Sequence, residues 1–298
     1  GAYSDGCFFF ARHETSLSRR FGFLSAASAM AIIAGVAAPQ RAQADDYYWQ
    51  NSNGNFLSSS NWTPFGTPPV QIPLPPPDGS RFIFTSSTIV GGQNILLGAG
   101  NFEFVARGTE TQVSFSGILE GALGSENQTR VTFSGDGQIS LNSRNTYKGA
   151  TVVDHVTLSF STDDQTLDPN SAITIQNNGE LDMGGRHHVA KSLTLNTGKL
   201  RNGTLLNGST VTSNGGNIEY VSASGIALII NSNTTNLIGT NSFGDVTIKS
   251  GAALHLANDA SQTLTFNGLT VDAGGTLVVG GNGKGAKLQK FGDADGVI

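Results

Sequence analysis

The feature that most constrains this chain is a short internal repeat. Five segments align: Ser171–Met183, Ser192–Leu200, Ser209–Tyr220, Asp245–Leu256 and Gly268–Val279. Each is a short alternating strand, a turn containing glycine, and a second alternating strand. The central threonines are Thr174, Thr194, Thr212, Thr247 and Thr270, spaced by 20, 18, 35 and 23 residues. The gap of 35 is about two periods, and Ile226 to Ile230 supplies the strand between. A unit of about 18–20 residues cannot bury its own apolar face, so each must stack on the next. Alternation puts Ile173 and Ile175 on one face and Thr174 on the other. The glycine serves the bend between faces. The pattern predicts an all-β chain whose residues 91–298 form a β-solenoid. Its inward ladder is built from Ile173, Leu193, Val211, Val246 and Leu269, with about ten rungs at roughly 4.8 Å. A β-sandwich is the alternative, but it does not require unit-to-unit similarity.

Composition agrees with many short strands. Charged residues make up 13%, against roughly 25% in an average soluble domain, too few for a coiled coil or helical bundle. The net charge of −5 offers no basic footprint, so no nucleic-acid partner is expected. Seven of the nine prolines lie between Pro64 and Pro77, leaving the downstream repeat free to form continuous strands. Residues 45–90 are read as an N-terminal cap, carried by Trp49 and Trp62, followed by this Pro-rich connector.

Residues 1–44 read as a leader and signal peptide. Arg19 and Arg20 precede an apolar run from Phe21 to Ala38, and Ala42-Gln43-Ala44 has the small-x-small form of a cleavage site. Ser18-Arg19-Arg20 before Phe21-Gly22-Phe23-Leu24 also suits a twin-arginine route, and a weakly apolar membrane span is the competing reading. With no Met before Arg19, the sequence is read as a fragment at one or both ends. Removing 1–44 leaves a net charge of −7 and no cysteine, since the only one is Cys7. A disulfide framework and a Cys-based metal site are thereby excluded for the remainder.

The string Val131-Thr-Phe-Ser-Gly-Asp-Gly-Gln-Ile-Ser-Leu-Asn-Ser-Arg-Asn145-Thr-Tyr-Lys-Gly-Ala-Thr151-Val-Val resembles the autotransporter-associated β-strand repeat. The matching positions are Gly135, Gly137, Ile139, Leu141, Asn145, Thr146, Tyr147, Gly149, Thr151, Val153, Thr157 and Leu158. Leu167–Ser171, Gly179–Leu181 and Ser192–Leu195 continue the likeness, and Trp49 to Trp62, with Gly54 and Asn61, resembles the opening of such passengers. Val156 stands where the family usually has Gly. The resemblance implies a right-handed parallel β-helix exported to a Gram-negative cell surface. It also implies a C-terminal outer-membrane barrel as partner, beyond the sequence given, and host-surface or matrix ligands.

Several motifs invite chemistry. Val152-Val-Asp154-His155-Val-Thr-Leu-Ser159 is similar to a pectate-lyase string, but no Arg-x-Pro-x-x-Arg follows, and the alternative reading places His155 in a turn that Asp154 caps. Asp182, Arg186, His187, His188 and Lys191 form the densest polar cluster, read as a surface loop. On a strand its two adjacent histidines would face opposite ways and could not share a metal. Asp293-Ala-Asp295-Gly296 has the opening rhythm of a Ca²⁺ loop. Phe243-Gly-Asp-Val246 begins like a passenger-protease motif, with Val246 at the nucleophile position. Asn-x-Ser/Thr sequons at Asn61, Asn127, Asn202, Asn207 and Asn233 follow from composition.

The combined reading is an exported cell-surface passenger with a structural or adhesive role and no catalytic, cofactor-binding or metal residue. A polysaccharide-active β-helix is the alternative. An unpaired last rung around Thr276-Leu-Val-Val279, apolar and uncharged, is expected to drive self-association.

Overall fold

A computed structural model describes residues 46–64, 72–161, 166–206, 210–256, 262–280 and 286–291. The leader, the Asp293–Gly296 rhythm and Asn207 lie outside the described residues, as does 65–71 of the Pro-rich run. Among the described residues the regular structure is β, apart from single 3-10 turns at Ser59–Asn61 and Glu126–Gln128.

The repeat folds as a β-solenoid of about nine turns. One parallel sheet stacks Gly100–Ala106, Thr129–Gly135, Thr151–Asp154, Ala172–Gln176, Ser192–Asn196, Thr210–Ser213, Ala227–Ile230, Asp245–Ile248 and Gly268–Val271 in that order. A second stacks Gln112–Phe115, Gln138–Leu141, Thr157–Phe160, Glu180–His188, Gly198–Leu205, Gly216–Ala223, Thr234–Ile238, Ala253–Leu256 and Thr276–Val279. A third face begins as the pair Ile95–Leu97 and Leu119–Gly121. It reappears where the long strands Glu180–His188, Gly198–Leu205 and Gly216–Ala223 bend, and continues through Thr240–Phe243, Thr263–Phe266 and Lys287–Lys290.

The registers place the repeat as its spacing requires. Ile173, Leu193, Val211, Leu228, Val246 and Leu269 are successive partners on the first sheet. The first five are buried, and Leu269 packs partly buried against the same core. Thr174, Thr194, Thr212, Ile229, Thr247 and Thr270 are partners on the outer side. Ile229 thus fills the long gap between Thr212 and Thr247. On the second sheet Leu158, Leu181, Leu200, Ile218, Leu237 and Leu256 form a matching buried ladder. Each such side chain removed from water contributes roughly 1.5–3 kcal/mol.

The parallel sheet does not begin at residue 91. Arg81–Phe84 pairs with Gly100–Ala106, and Asp46–Trp49 pairs with Arg81–Phe84. Trp62–Pro64 lies antiparallel on Asp46–Trp49 and covers the sheet edge. Trp62 is fully buried, edge-on to Trp49 and to Phe56 at 4.9 Å from each, and its indole N–H donates to the Phe56 carbonyl at 2.6 Å. Phe82, Phe104 and Phe133 carry this aromatic plug down the interior at 5.1 and 5.8 Å. The segment 45–90 therefore supplies further rungs as well as the cap.

The turn glycines divide into two kinds. Gly215, Gly251 and Gly274 hold positive φ of 113°, 74° and 85°. Gly179 and Gly198 do not; there Asn177, Asn178 and Thr197 take the left-handed backbone. A Cβ on Gly179 would lie 2.6 Å from the Val153 carbonyl oxygen, so close approach between coils, not dihedral freedom, requires that glycine.

One rung interrupts the apolar ladder. Ser213 stands between Leu195 and Ile230, fully buried, and its hydroxyl pairs with that of buried Thr235 at 2.7 Å across the interior. Removing one hydroxyl leaves the other without this partner in the core. Ser213→Ala is expected to lower stability by about 1–3 kcal/mol in urea denaturation. The shape-conserving double substitution Ser213→Ala with Thr235→Val should recover part of that loss, the Gly215 N–H from which Ser213 Oγ also accepts being left without this partner.

Candidate functional site

Among the described residues, the outer side of the second sheet carries the largest linked group of ion pairs. Leu181 and Met183 point into the core, so alternation turns Glu180 and Asp182 outward. Register then sets Glu180 beside Lys199 and Asp182 beside Arg201, with Arg201 beside Glu219 on the next coil. Lys199 Nζ lies 3.3 Å from Glu180 and 3.7 Å from Glu219. Arg201 Nη2 lies 2.9 Å from Asp182. Its Nε is 2.7 Å from Glu180 but is not aligned for a hydrogen bond, so that contact is electrostatic. Three carboxylates and two cations are thus interleaved over three coils. Asn217 and Asn236 extend the row, joined by a 3.0 Å amide hydrogen bond.

Of the polar cluster read from the sequence as a loop, Asp182, Arg186, His187 and His188 instead belong to a strand, and Lys191 lies just beyond it. Glu180–His188 is continuous but shifts register between Asp182 and Arg186, where Gly184 and Gly185 hold positive φ. Its two histidines diverge as strand geometry requires: His187 is exposed and His188 is buried. The His188 ring lies 4.8 Å from Phe160, and its Nδ1 accepts from the Thr166 backbone N–H at 3.4 Å. Asp182 is drawn to Arg201 rather than to Arg186 or Lys191. Sequence reasoning missed Glu180, Lys199, Arg201 and Glu219 as a unit because they sit a full coil apart. The one available signal was their shared position relative to the inward leucines. Among the described residues no three His, Cys, Asp or Glu side chains gather as a metal site.

Asp154 and His155 lie at a corner between the first two sheets. Asp154 ends its strand, and its two carboxylate oxygens accept from Gln176 Nε2 at 3.0 Å and Asn177 Nδ2 at 2.8 Å. His155 takes φ 57°, with Nδ1 3.0 Å from the Asn177 carbonyl, while Val156 is buried. Both residues bind the next coil. In the protease-like string Phe243 and Val246 are fully buried in the core while Asp245 is exposed. Asn61 is buried too, donating to the Asn55 carbonyl at 2.7 Å.

The motif Asn145-Thr-Tyr147 is also structural. Asn145 is buried; its Oδ1 accepts from Leu119 N–H at 2.7 Å, and its Nδ2 donates to the Ser143 and Thr166 carbonyls at 3.0 Å each. Tyr147 is fully buried, 2.9 Å from the Thr151 hydroxyl. Burial raises its phenol well above the usual value, against the opposing effect of that bond, and keeps it neutral.

An open recess of about 550 Å³ near the capped end is lined by Asn53, Gly54, Asn55, Ile89, Gly91, Gly92 and Gln93, none of them titratable. It offers amides and one exposed isoleucine but no acid or base. No protein-family model, no curated protein and no solved structure matches the chain.

The ion-pair array is expected to hold register. Its carboxylates are about one-sixth exposed and its cations about one-third. Arg201→Ala should therefore cost about 1–2 kcal/mol, between the exposed and the buried ranges. A double-mutant cycle with Asp182→Ala should show coupling that weakens between low and molar salt. Strict additivity would mean the pair does nothing for stability.

Proposed function

We propose that this chain is the β-solenoid section of an exported surface protein of the autotransporter type, with a structural or adhesive role. The supporting observation is that the positions shared with the autotransporter-associated repeat are those the stack depends on. Asn145 satisfies a corner, Tyr147 fills it and Thr151 bonds the tyrosine hydroxyl. The solenoid gains stability from repeated ladders without a disulfide, as a chain that crosses a membrane unfolded would need. Its partners in this reading are a C-terminal membrane barrel and ligands on a host surface or matrix. The exposed Val278 and Val279 on Thr276–Val279 suit contact with a further rung, whether of this chain or another copy.

The polysaccharide-lyase alternative draws less support, because the Asp154 carboxylate is already engaged by the next coil. Protease release from intact source cells, followed by N-terminal sequencing, tests the proposal. A surface-exposed mature chain beginning at Asp45 is expected. Recovery only from the cell interior, or retention of Phe21 to Ala38, would contradict it. Ca²⁺-dependent cleavage of polygalacturonate that disappears in Asp154→Ala would select the lyase instead.

A further inference from the structure

The corner between the second and third faces needs left-handed backbone on successive coils. Gly184, Gly185 and Gly239 supply it at φ of 63°, 74° and 75°, and Asn202 at 55°. Glycine and asparagine accept this conformation readily. On the coil between Asn202 and Gly239 the same corner is held by Tyr220, at φ 55° and with 56% of its surface exposed. A large aromatic residue is thus placed against its backbone preference and left half in water. Neither burial nor turn formation accounts for that choice.

The ring is fixed on one side. A Cβ on Gly239 would collide with Cδ1 and Cε1 of Tyr220, so the ring lies on the bare backbone of that glycine. Asn202, on the preceding coil, leans away, its Nδ2 3.4 Å from the Asp182 carboxylate. With Asn202 so engaged and Tyr220 more than half exposed, the second face of the ring is reachable from solvent among the described residues. Beside it on the third face runs a hydroxyl row in register: Thr204, Ser222 and Ser242. Ser242 Oγ donates to Ser222 Oγ at 3.2 Å, and Ser222 is exposed. On the other side Glu219 is tied into the ion-pair array through Lys199 at 3.7 Å. The local charge is thereby largely cancelled.

From this arrangement we infer that Tyr220 is a stacking platform for one pyranose ring of a neutral glycan. The electron-rich ring face suits the polarised C–H face of a sugar. The Thr204–Ser222–Ser242 row supplies donors and acceptors for the sugar hydroxyls. Among the described residues the cations on the Tyr220 coil and its two neighbours, Lys199 and Arg201, are already paired, and exposed Arg186 lies two coils back, so a uronate or sialylated chain finds no surplus cation beside the ring and a nucleic acid finds no basic field. The inference deepens the adhesive part of the proposed function by naming a ligand class, and it rests on that reading for its biological purpose only.

Calorimetric titration of the purified mature chain tests it, with cellohexaose, mannohexaose, chitohexaose and laminarihexaose as neutral probes and a hexamer of galacturonate as the charged one. At least one neutral probe is expected to bind with Kd below about 10 mM, and more tightly than the galacturonate hexamer. Tyr220→Phe should keep that affinity within about threefold, and Tyr220→Gly should weaken it about tenfold or more. Glycine accepts φ 55°, so Tyr220→Gly should leave Tm unchanged or raised. Binding by none of the neutral probes, unchanged binding in Tyr220→Gly, or equal binding of the galacturonate hexamer would overturn the inference. A lowered Tm in Tyr220→Gly without loss of affinity would show that the ring only covers Gly239. Surface release from cells is measured separately. Failure of export with glycan binding intact would sink the passenger reading and spare this site.

Discussion

Parallel pairing in register between successive coils governs the whole structure. Strand side chains alternate with a period of two, so a slip of one residue would send the Thr174–Thr194–Thr212 column inward and the Ile173–Leu193–Val211 column outward. A core made of single-residue columns has no slack for that exchange. Each coil must therefore deliver its strands at the same height as the last. Loop length between strands is free to vary, as residues 142–150 before Thr151–Asp154 and the much shorter 189–191 before Ser192–Asn196 illustrate, provided the register is regained.

The corners carry the burden that follows. They bend the backbone within one or two residues, which takes left-handed φ at His155, Asn177, Asn178, Thr197, Asn202 and Asn233. They also expose backbone groups that the sheets cannot satisfy. Buried asparagines meet that need: Asn145 bonds Leu119, Ser143 and Thr166, and Asn241 bonds Val221 and Ile238 in the same manner. Outside, Asn196, Asn214 and Asn231 link coil to coil through side-chain amides at 2.7 and 2.9 Å. The asparagine-rich, charge-poor composition is thus a consequence of having many corners and few free faces.

The ladders were legible in the sequence because they depend only on alternation and period. Ile173, Leu193, Val211, Val246 and Leu269 could be aligned from their threonine neighbours, and the long gap between Thr212 and Thr247 correctly called for one more strand. What lay beyond reach depends on contacts between coils. Gly179 resembles Gly215 in sequence, yet one relieves a close approach and the other a dihedral angle. The Ser213–Thr235 pair joins two sheets, and the Glu180–Lys199–Arg201 array joins coils of unequal length. The rungs at Asp46–Trp49 and Arg81–Phe84 were hidden by the proline run between them in sequence, on either side of which the sheet nevertheless continues. Tyr220 carried no signal at all, since its significance is the φ of its corner.

Disulfide trapping on the outer threonine column tests the register most directly. The only cysteine, Cys7, lies far upstream of the threonine column in sequence, so paired substitutions report without interference once it is replaced by serine. Thr194 and Thr212 are direct partners on adjacent coils, at the roughly 4.8 Å spacing of neighbouring strands, inside the range a disulfide can bridge. Thr174 and Thr212 are two coils apart, at roughly twice that spacing and beyond bridging distance. Mild oxidation should cross-link Thr194→Cys with Thr212→Cys and leave Thr174→Cys with Thr212→Cys reduced. Cross-linking of the second pair, or equal trapping of Thr194→Cys with Val211→Cys, would contradict an in-register stack.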